Sequence, residues 1–319
     1  MQVTVLCGGP SAEREVSLSS GRAVIEGLCA AGHEVFASDI SPSNLTGLNR
    51  ATDVVFPVLH GAFGESGELQ EILEQRGLAF VGSGSVASRL GMDKVATKRA
   101  WQAVGLPTPT WEVITRAAPA ATIGAPCVVK PIDSGSSIDV AICHTDIELD
   151  LACDHILKTH ETALVERLIE GPELTVGLLE DQPLEPIRII VKREFFDYAA
   201  KYQQCGTKHH FDLGLPREVS DRVRELAREA NRIIGCRDLA RVDIMLDKQL
   251  EPYLLEINTL PGFTPTSLLP EAAAHAGIDF PHLVDRLVKR AYARRAETKP
   301  KLWVNVTSVR LRSTSLKSA

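Results

Sequence analysis

The 319-residue sequence has no C-x-x-C pair, no apolar run long enough to span a bilayer and no large excess of either charge. Each absence removes a class of protein. The seven cysteines, Cys7, Cys29, Cys127, Cys143, Cys153, Cys205 and Cys236, are odd in number and scattered, so neither a disulfide framework nor a zinc site is expected. The opening MQVTVLCGGPSAERE lacks a basic start and turns polar and glycine-rich after a handful of apolar residues, unlike a signal peptide. A formal charge of -6 gives no global reason to expect nucleic acid or a membrane as partner. A reducing, cytoplasmic location is the expectation. No G-x-G-x-x-G follows the first apolar run, which removes a Rossmann-type dehydrogenase. No internal repeat is present.

What is there is an ordinary globular composition, 44% hydrophobic and 24% charged, on a chain longer than one usual domain. Two or three packed units are expected. Val3 to Leu6 reads as a buried strand, Ser11 to Ala31 as a turn entering a helix, and Glu34 to Ala37 and Asp53 to Leu59 as further strands. With a helix over Gly67 to Gln75, this alternation implies a parallel sheet with helices on its faces. The VGSGS run at 81–85 punctuates the chain, a helix follows from Met92 to Ala103, and Leu106-Pro107-Thr108-Pro109 ends it. From Cys127 onward strands mix with loops: CVVKP, ALVERLIEG, LTVGLLE and IRIIVK. An amphipathic helix is predicted over Glu218 to Ile234, with Val219, Val223, Leu226, Ala230 and Ile233 inward. A last helix is expected near His282 to Arg294, then a basic, aperiodic and disordered tail over 297–319.

The segment from Arg241 to Asn258 carries the strongest chemical signal. If the chain turns near Asp247 to Glu251, Asp243 lies opposite Glu256 and Arg241 opposite Asn258, and strand alternation puts all four on one face. Val242, Ile244, Leu255 and Ile257 then share the apolar face. Opposed carboxylates repel unless something lies between them, and a hard cation with oxygen ligands supplies that. A solvated sheet face is the bland alternative. The following loop, TLPGFTPTSLLPEAA, weighs against it: Gly262 permits close backbone approach, and Ser267 opens a helix whose free N–H groups favour an anion.

Four stretches taken together, CGGPSAEREVSLSSG (7–21), VVKPIDSGSS (128–137), DYAAKY (197–202) and ARVDIMLDKQLEPYLLEINTLPGFTPTSL (240–268), resemble the D-alanine–D-alanine ligase branch of the ATP-grasp family over residues 3–294. The resemblance implies an α/β, three-domain ATP-grasp architecture with an N-terminal Rossmann-like parallel sheet. Its units would be 1–92 for substrate, 93–175 as the central ATP-grasp subdomain and 176–296 for ATP and metal. Lys98 and Lys130 would contact ATP phosphates, although Lys98 read alone is a solvated helix lysine. The Gly135-Ser136-Ser137 loop would fold over those phosphates. Glu166, Arg167, Leu168 and Ile169 would form the adenine-binding strand, and Glu173 would reach the ribose. Asp243, Glu256 and Asn258 would hold two magnesium ions, with manganese as an alternative.

By the same resemblance, Glu13 would hold the ammonium of the first D-alanine; read alone, it favours only a helix dipole. Ser136 and Tyr202 would join Glu13 in a hydrogen-bonded set, Lys201 would steady the transferring phosphate, and His60 would line the substrate pocket or sit as a satisfied core residue. Arg241 and the Gly262 N–H would stabilise a tetrahedral oxyanion, and Ser267 and Leu268 would bind the second substrate's carboxylate. The implied reaction phosphorylates one D-alanine from ATP, and the amine of a second then displaces phosphate. The partners are D-alanine and ATP, and the family's habit is a homodimer.

Three departures stand out. Asp139 replaces the second glycine of a G-S-S-x-G-V loop, where an acid either repels triphosphate or faces outward. The segment QQCGTKHHFDLG (203–214), expected as a mobile lid, lacks the Tyr and Pro common in it and carries His209 and His210. Phe263 stands for methionine and Ala199 for an acid. Two other functions remain open: a relative making a D-alanyl ester or a dipeptide ending in D-serine, and an ATP-binding protein without turnover.

Overall fold

The computed structural model describes residues 1–133, 139–190 and 208–298. Three strands open it: β1 (Gln2–Cys7), β2 (Glu34–Asp39) and β3 (Val54–Pro57), all parallel, in the order β2-β1-β3. Parallel neighbours need a crossover, and α1 (Arg14–Ala30) provides the first one. All four residues of β3 and most of β1 are buried, as expected of a sheet covered on both faces.

Short helices α2 (Ala62–Glu65) and α3 (Glu68–Gln75) follow. The helix expected from Met92 to Ala103 is α5 (Lys94–Ala103), and α4 (Ser85–Met92), which was not expected, precedes it. Asp93 separates them with extended backbone, and its side chain accepts from the Ala96 N–H, capping α5.

A second, antiparallel sheet has the order β4 (Trp111–Thr115), β7 (Thr162–Arg167), β5 (Cys127–Lys130), β6 (Ala141–Cys143). Helix α6 (Asp146–Thr159) covers it. This helix went unread in the sequence, although Thr145 and Glu148 form a complete capping box at its start. Its core includes Ile114, Val129, Leu149, Ile156 and Val165.

The third sheet runs β11 (Lys208–His210), β10 (Ile187–Ile190), β8 (Glu173–Leu179), β12 (Leu239–Leu246), β13 (Pro252–Asn258), with β9 (Gln182–Pro183) on β8. Helix α7 (Arg217–Ile234) packs on it through Val219, Val223, Leu226, Ala230 and Ile234. Ile233, expected inside, is 39% exposed, because the 3.6-residue period carries the stripe from Ala230 to Ile234.

Helix α8 (Leu268–His275) follows the third sheet, but α9 (Phe280–Thr298) returns to the first. Leu283, Val284, Leu287 and Val288 share one core with Val3, Val24 and Phe56. The expected helix of 282–294 is therefore too short at both ends. His33 Nε2 meets Asp285 Oδ1 at 2.9 Å across this contact. Phe263 lies between Phe56 and Phe280, at ring-centroid distances of 5.6 and 5.7 Å. Its large ring fills this junction, so the departure from methionine is accommodated. No helix among the described residues is long and apolar enough to cross a membrane.

Candidate active site

The glycine-led turn after β1 shows why its residues are small. Gly8 and Gly9 have φ of +82 and +79, and a Cβ on Gly8 would fall 2.5 Å from Asp39 Oδ1. Only glycine takes that backbone at no cost. Gly9 N–H donates to Asp39 (3.0 Å), and Gly8 N–H to Ser17 Oγ (2.9 Å). Glu13 follows at the N-cap of α1, only 7% exposed, and its side chain makes no capping hydrogen bond. Its charge reaches His60.

Near it stands His60, which is 4% exposed. Its Nδ1 meets Glu65 Oε1 at 3.1 Å, and the Gly61 N–H donates to the other Glu65 oxygen at 3.1 Å. Burial opposes the imidazolium most, but the hydrogen bond and charge of Glu65, with the charge of Glu13, outweigh it and Arg241's repulsion, so the pKa is raised. His60 Nε2 is buried without a hydrogen-bond partner among the described residues. It shares this state with other buried atoms such as His33 Nδ1 and Trp111 Nε1, and either water or a ligand completes such an atom.

The hairpin β12–β13 has the expected register where it matters: Arg241 is paired with Asn258 and Asp243 with Glu256. Beyond Asp243 the register shifts, so Ile244 faces Leu254. The apolar face is therefore Val242, Ile244, Leu254 and Ile257; Leu255, expected there, is displaced by this bulge and only half-buried. Arg241 grips Asp243 through both nitrogens at 2.9 Å, Thr175 Oγ1 donates at 2.6 Å, and Asn258 Nδ2 at 3.3 Å. Glu256 has Lys94 Nζ at 3.9 Å. Cations from the protein thus already moderate the opposed carboxylates. Among the described residues no group of three or more His, Cys, Asp or Glu forms a metal cage. Two carboxylates and an amide still suit magnesium, which keeps several waters and commonly takes only one or two carboxylates plus substrate phosphates.

Helix α5 joins this face to a second one. Lys94 and Lys98 are one turn apart, and Lys98 Nζ pairs with one oxygen of Glu166 while Lys130 Nζ pairs with the other. Glu166 is paired with Val128 in the sheet, so Lys130, two residues along, falls on the same face. All three are buried; Lys98 is wholly inside and also donates to Thr108 Oγ1 (2.6 Å). A solvated helix lysine is thus overturned. Burial, reinforced by Lys130, lowers the Lys98 pKa to about 8 against the partial restoration by Glu166. Glu166 is also buried, yet the two lysines outweigh burial and hold its pKa below the usual value.

The remaining predicted residues fall as follows. Ser136, Ser137, Lys201 and Tyr202, with Gly135 and Ala199, lie outside the described residues. Arg167 is exposed, Leu168 and Ile169 are half-buried, and the Leu168 N–H donates to the Pro126 carbonyl at 3.2 Å. Glu173 begins β8, half-buried. Gly262 has Ser267 Oγ within 3.3 Å of where a Cβ would sit. Ser267 is the N-cap of α8; its Oγ accepts from the Thr264 N–H (3.0 Å), and Leu268 opens the helix. Of the expected lid, 203–207 lies outside the described residues, whereas Lys208–His210 is a strand paired to β10.

Asp139 resolves one departure. Its φ of 56 is the left-handed conformation a glycine would take, and among non-glycine residues Asp and Asn tolerate it best. Its carboxylate faces His155 Nε2 (3.9 Å) and His160 Nε2 (3.7 Å). Sequence reasoning missed Glu65, Lys94 and Thr175. Lys94 and Lys98 at i, i+4 were a readable signal, but Thr175 meets Asp243 only through sheet pairing.

One sheet with a buried Lys–Glu–Lys set, facing a second with a carboxylate hairpin, defines the ATP-grasp class of fold. Residues 100–289 match the family model described as D-ala D-ala ligase C-terminus, and 37–83 the one described as D-ala D-ala ligase N-terminus. The chain belongs to the D-alanine–D-alanine ligase family. It is 42% identical to the D-alanine–D-alanine ligase of Chromohalobacter salexigens, over 90% of this chain and 93% of the relative. Identity to that of Marinobacter nauticus is 43%, over 92% and 91%. The D-alanine–D-alanine ligase from Bacillus anthracis complexed with ATP superposes with a TM-score of 0.81 at 30% identity, over 93% of this chain and 99% of that one.

Proposed function

We propose that the chain joins two D-alanines with conversion of ATP to ADP and phosphate, supplying D-alanyl-D-alanine for peptidoglycan precursors. A carboxylate resists attack by an amine until one oxygen becomes a leaving group. Transfer of the γ-phosphoryl group to the first D-alanine supplies that group, and the second amine displaces it. The observation that carries this reading is the buried Lys98–Glu166–Lys130 set, set one turn of α5 from the Asp243–Glu256 face. Two buried lysines on one carboxylate leave a net positive charge, and such a charge suits a polyanion.

In this reading Lys98 and Lys130 bind ATP phosphates. Glu166 and the backbone through Ile169 take the adenine, and Glu173 the ribose. Asp243, Glu256 and Asn258 hold magnesium, which when bound supplies charge neutralisation for phosphoryl transfer. Glu13 and His60 receive the first D-alanine, where the orphaned His60 Nε2 supports a ligand. Arg241 and the Gly262 N–H face the oxyanion, Ser267 and Leu268 take the second carboxylate, and Ser136, Lys201 and Tyr202 complete the site. The units are 1–92, 93–175 and 176–296, in a cytoplasmic enzyme. Asp139, whose carboxylate faces the imidazoles of His155 and His160, favours turnover over a degenerate binder.

The test of activity is phosphate release from ATP and magnesium with D-alanine, D-serine, D-lactate or L-alanine. Release stimulated by D-alanine alone, with a dipeptide product, is the expected result. Stimulation by D-lactate or D-serine instead would favour the ester or mixed-dipeptide reading, and none from ATP-binding protein would sink turnover.

A pH dependence follows from Lys98. Its folded pKa, about 8, lies below the ordinary 10.5, so its neutralisation stabilises the fold as pH rises from about 8 to 10.5. ATP favours the protonated form, so affinity runs the other way. The dissociation constant for ATP is expected to be flat below pH 8 and to rise by up to about tenfold per unit above it, the limit for one proton. A flat titration from pH 7 to 9.5 would show that Lys98 is not the titrating contact.

A further inference from the structure

His209 lies in β11, and the structure gives that histidine a specific partner. Its Nδ1 meets Glu271 Oε2 at 2.5 Å, with side chains 22% and 33% exposed. Two residues on, Phe211 stacks on His275 with ring centroids 3.8 Å apart and planes within 6°. Both contacts join the strand β11 and the residue after it to α8. Glu271 lies in the first turn of that helix, and its N–H donates to the Ser267 carbonyl at 2.9 Å.

Its position makes the pair more than a surface contact. The start of α8, at Ser267 and Leu268, is where the second amino acid's carboxylate is placed in the proposed function. Leu268 and Leu269 precede any helical acceptor, and Pro270 has no N–H, so few donors remain there. Glu271 sits in the same positive end of the helix dipole and competes with an incoming carboxylate for it. An acid so placed weakens substrate binding unless its charge is held elsewhere. His209 is the side chain that holds it.

We infer that His209 is a positioning residue for the second amino acid, drawing the Glu271 carboxylate out of competition with the substrate's own. This inference rests on the ligase reading. It predicts that the cost of losing His209 comes from the exposed charge of Glu271, so that removing both residues is milder than removing His209 alone.

The test uses the full chain as wild type, His209→Ala, Glu271→Gln and the double variant. Initial rates of phosphate release are measured with D-alanine varied across saturation of both sites. His209→Ala is expected to raise the KM of the second D-alanine roughly three- to tenfold, with the ATP KM unchanged. Glu271→Gln should leave that KM at or below the wild-type value, and the double variant should return it to within about twofold of wild type. No rise in His209→Ala, or a double variant as impaired as His209→Ala, would overturn the inference. A packing role alone predicts the second of these. If His209→Ala does not fold, His209→Phe keeps a ring against the helix and gives the same comparison. A wild-type chain that binds ATP but shows no D-alanine-stimulated release would overturn the ligase reading before any variant is compared.

Discussion

Glu166→Gln is expected to destabilise the chain by about 3–5 kcal/mol, the range for removing one partner of a buried ionic set. The carboxylate sits between Lys98 and Lys130, both buried, and each lysine takes a different oxygen. A glutamine of the same shape fills the space but leaves two ammonium groups without a counter-charge. They then neutralise or drag water inward, and either response costs stability. Urea unfolding of the two proteins at pH 7 measures the difference. A second variant makes the cause visible: Lys98→Met together with Glu166→Gln should recover part of the loss, because one stranded charge has gone. A loss below about 1 kcal/mol would place the set in the class of exposed pairs and contradict its burial.

Arg241→Ala is expected to lower kcat by about 100- to 1000-fold, the effect of removing a donor aimed at a developing oxyanion. Two consequences meet in this side chain. Arg241 grips both oxygens of Asp243 at 2.9 Å, which orients the carboxylate proposed as a metal ligand. Its charge also reaches His60, which ties it electrostatically to the proposed pocket for the first D-alanine. Arg241→Lys should rescue little, because an ammonium cannot reproduce the planar, two-pronged grip. Single-turnover phosphate release and steady-state rates separate orientation of the carboxylate from oxyanion stabilisation. A tenfold or smaller fall in kcat would remove Arg241 from the reacting centre.

Some of this site was legible in the chain alone because it is built locally. Asp243, Glu256, Arg241 and Asn258 are brought together by one hairpin, and two-residue alternation along each strand puts them on one side. Even there the sequence misplaced Leu255, since a bulge leaves no mark in an apolar run. Ile233 failed for a related reason: two neighbouring isoleucines lie at the end of a stripe, and the sequence does not say which faces the sheet. Helix α6 was missed although its capping box is written in T-D-I-E, because DIELDLACDHILKT has a weak polar face beside its apolar one.

Lys98 teaches the opposite lesson. Its i, i+4 spacing from Lys94 marks a shared helix face, but only the packing of Glu166 and Lys130 from the second sheet shows that Lys98 is buried. Asp139 was read with two possible directions. Backbone geometry and the two histidines of and after α6 supply the choice, and neither is contiguous with it in sequence.

By itself, then, the sequence determined the alternation that makes a parallel first sheet, the carboxylate hairpin, the helix start after Ser267 and the family to which they belong. All of these rest on period, turn chemistry and short-range spacing, which operate over a few residues. Tertiary structure alone decided that the last helix packs on the first sheet, that Lys98 lies inside, that Asp243 is gripped by Arg241 and Thr175, and that His209 closes on Glu271. Those facts depend on which distant surfaces meet, and a pattern of apolar residues states only which side seeks cover, not what covers it.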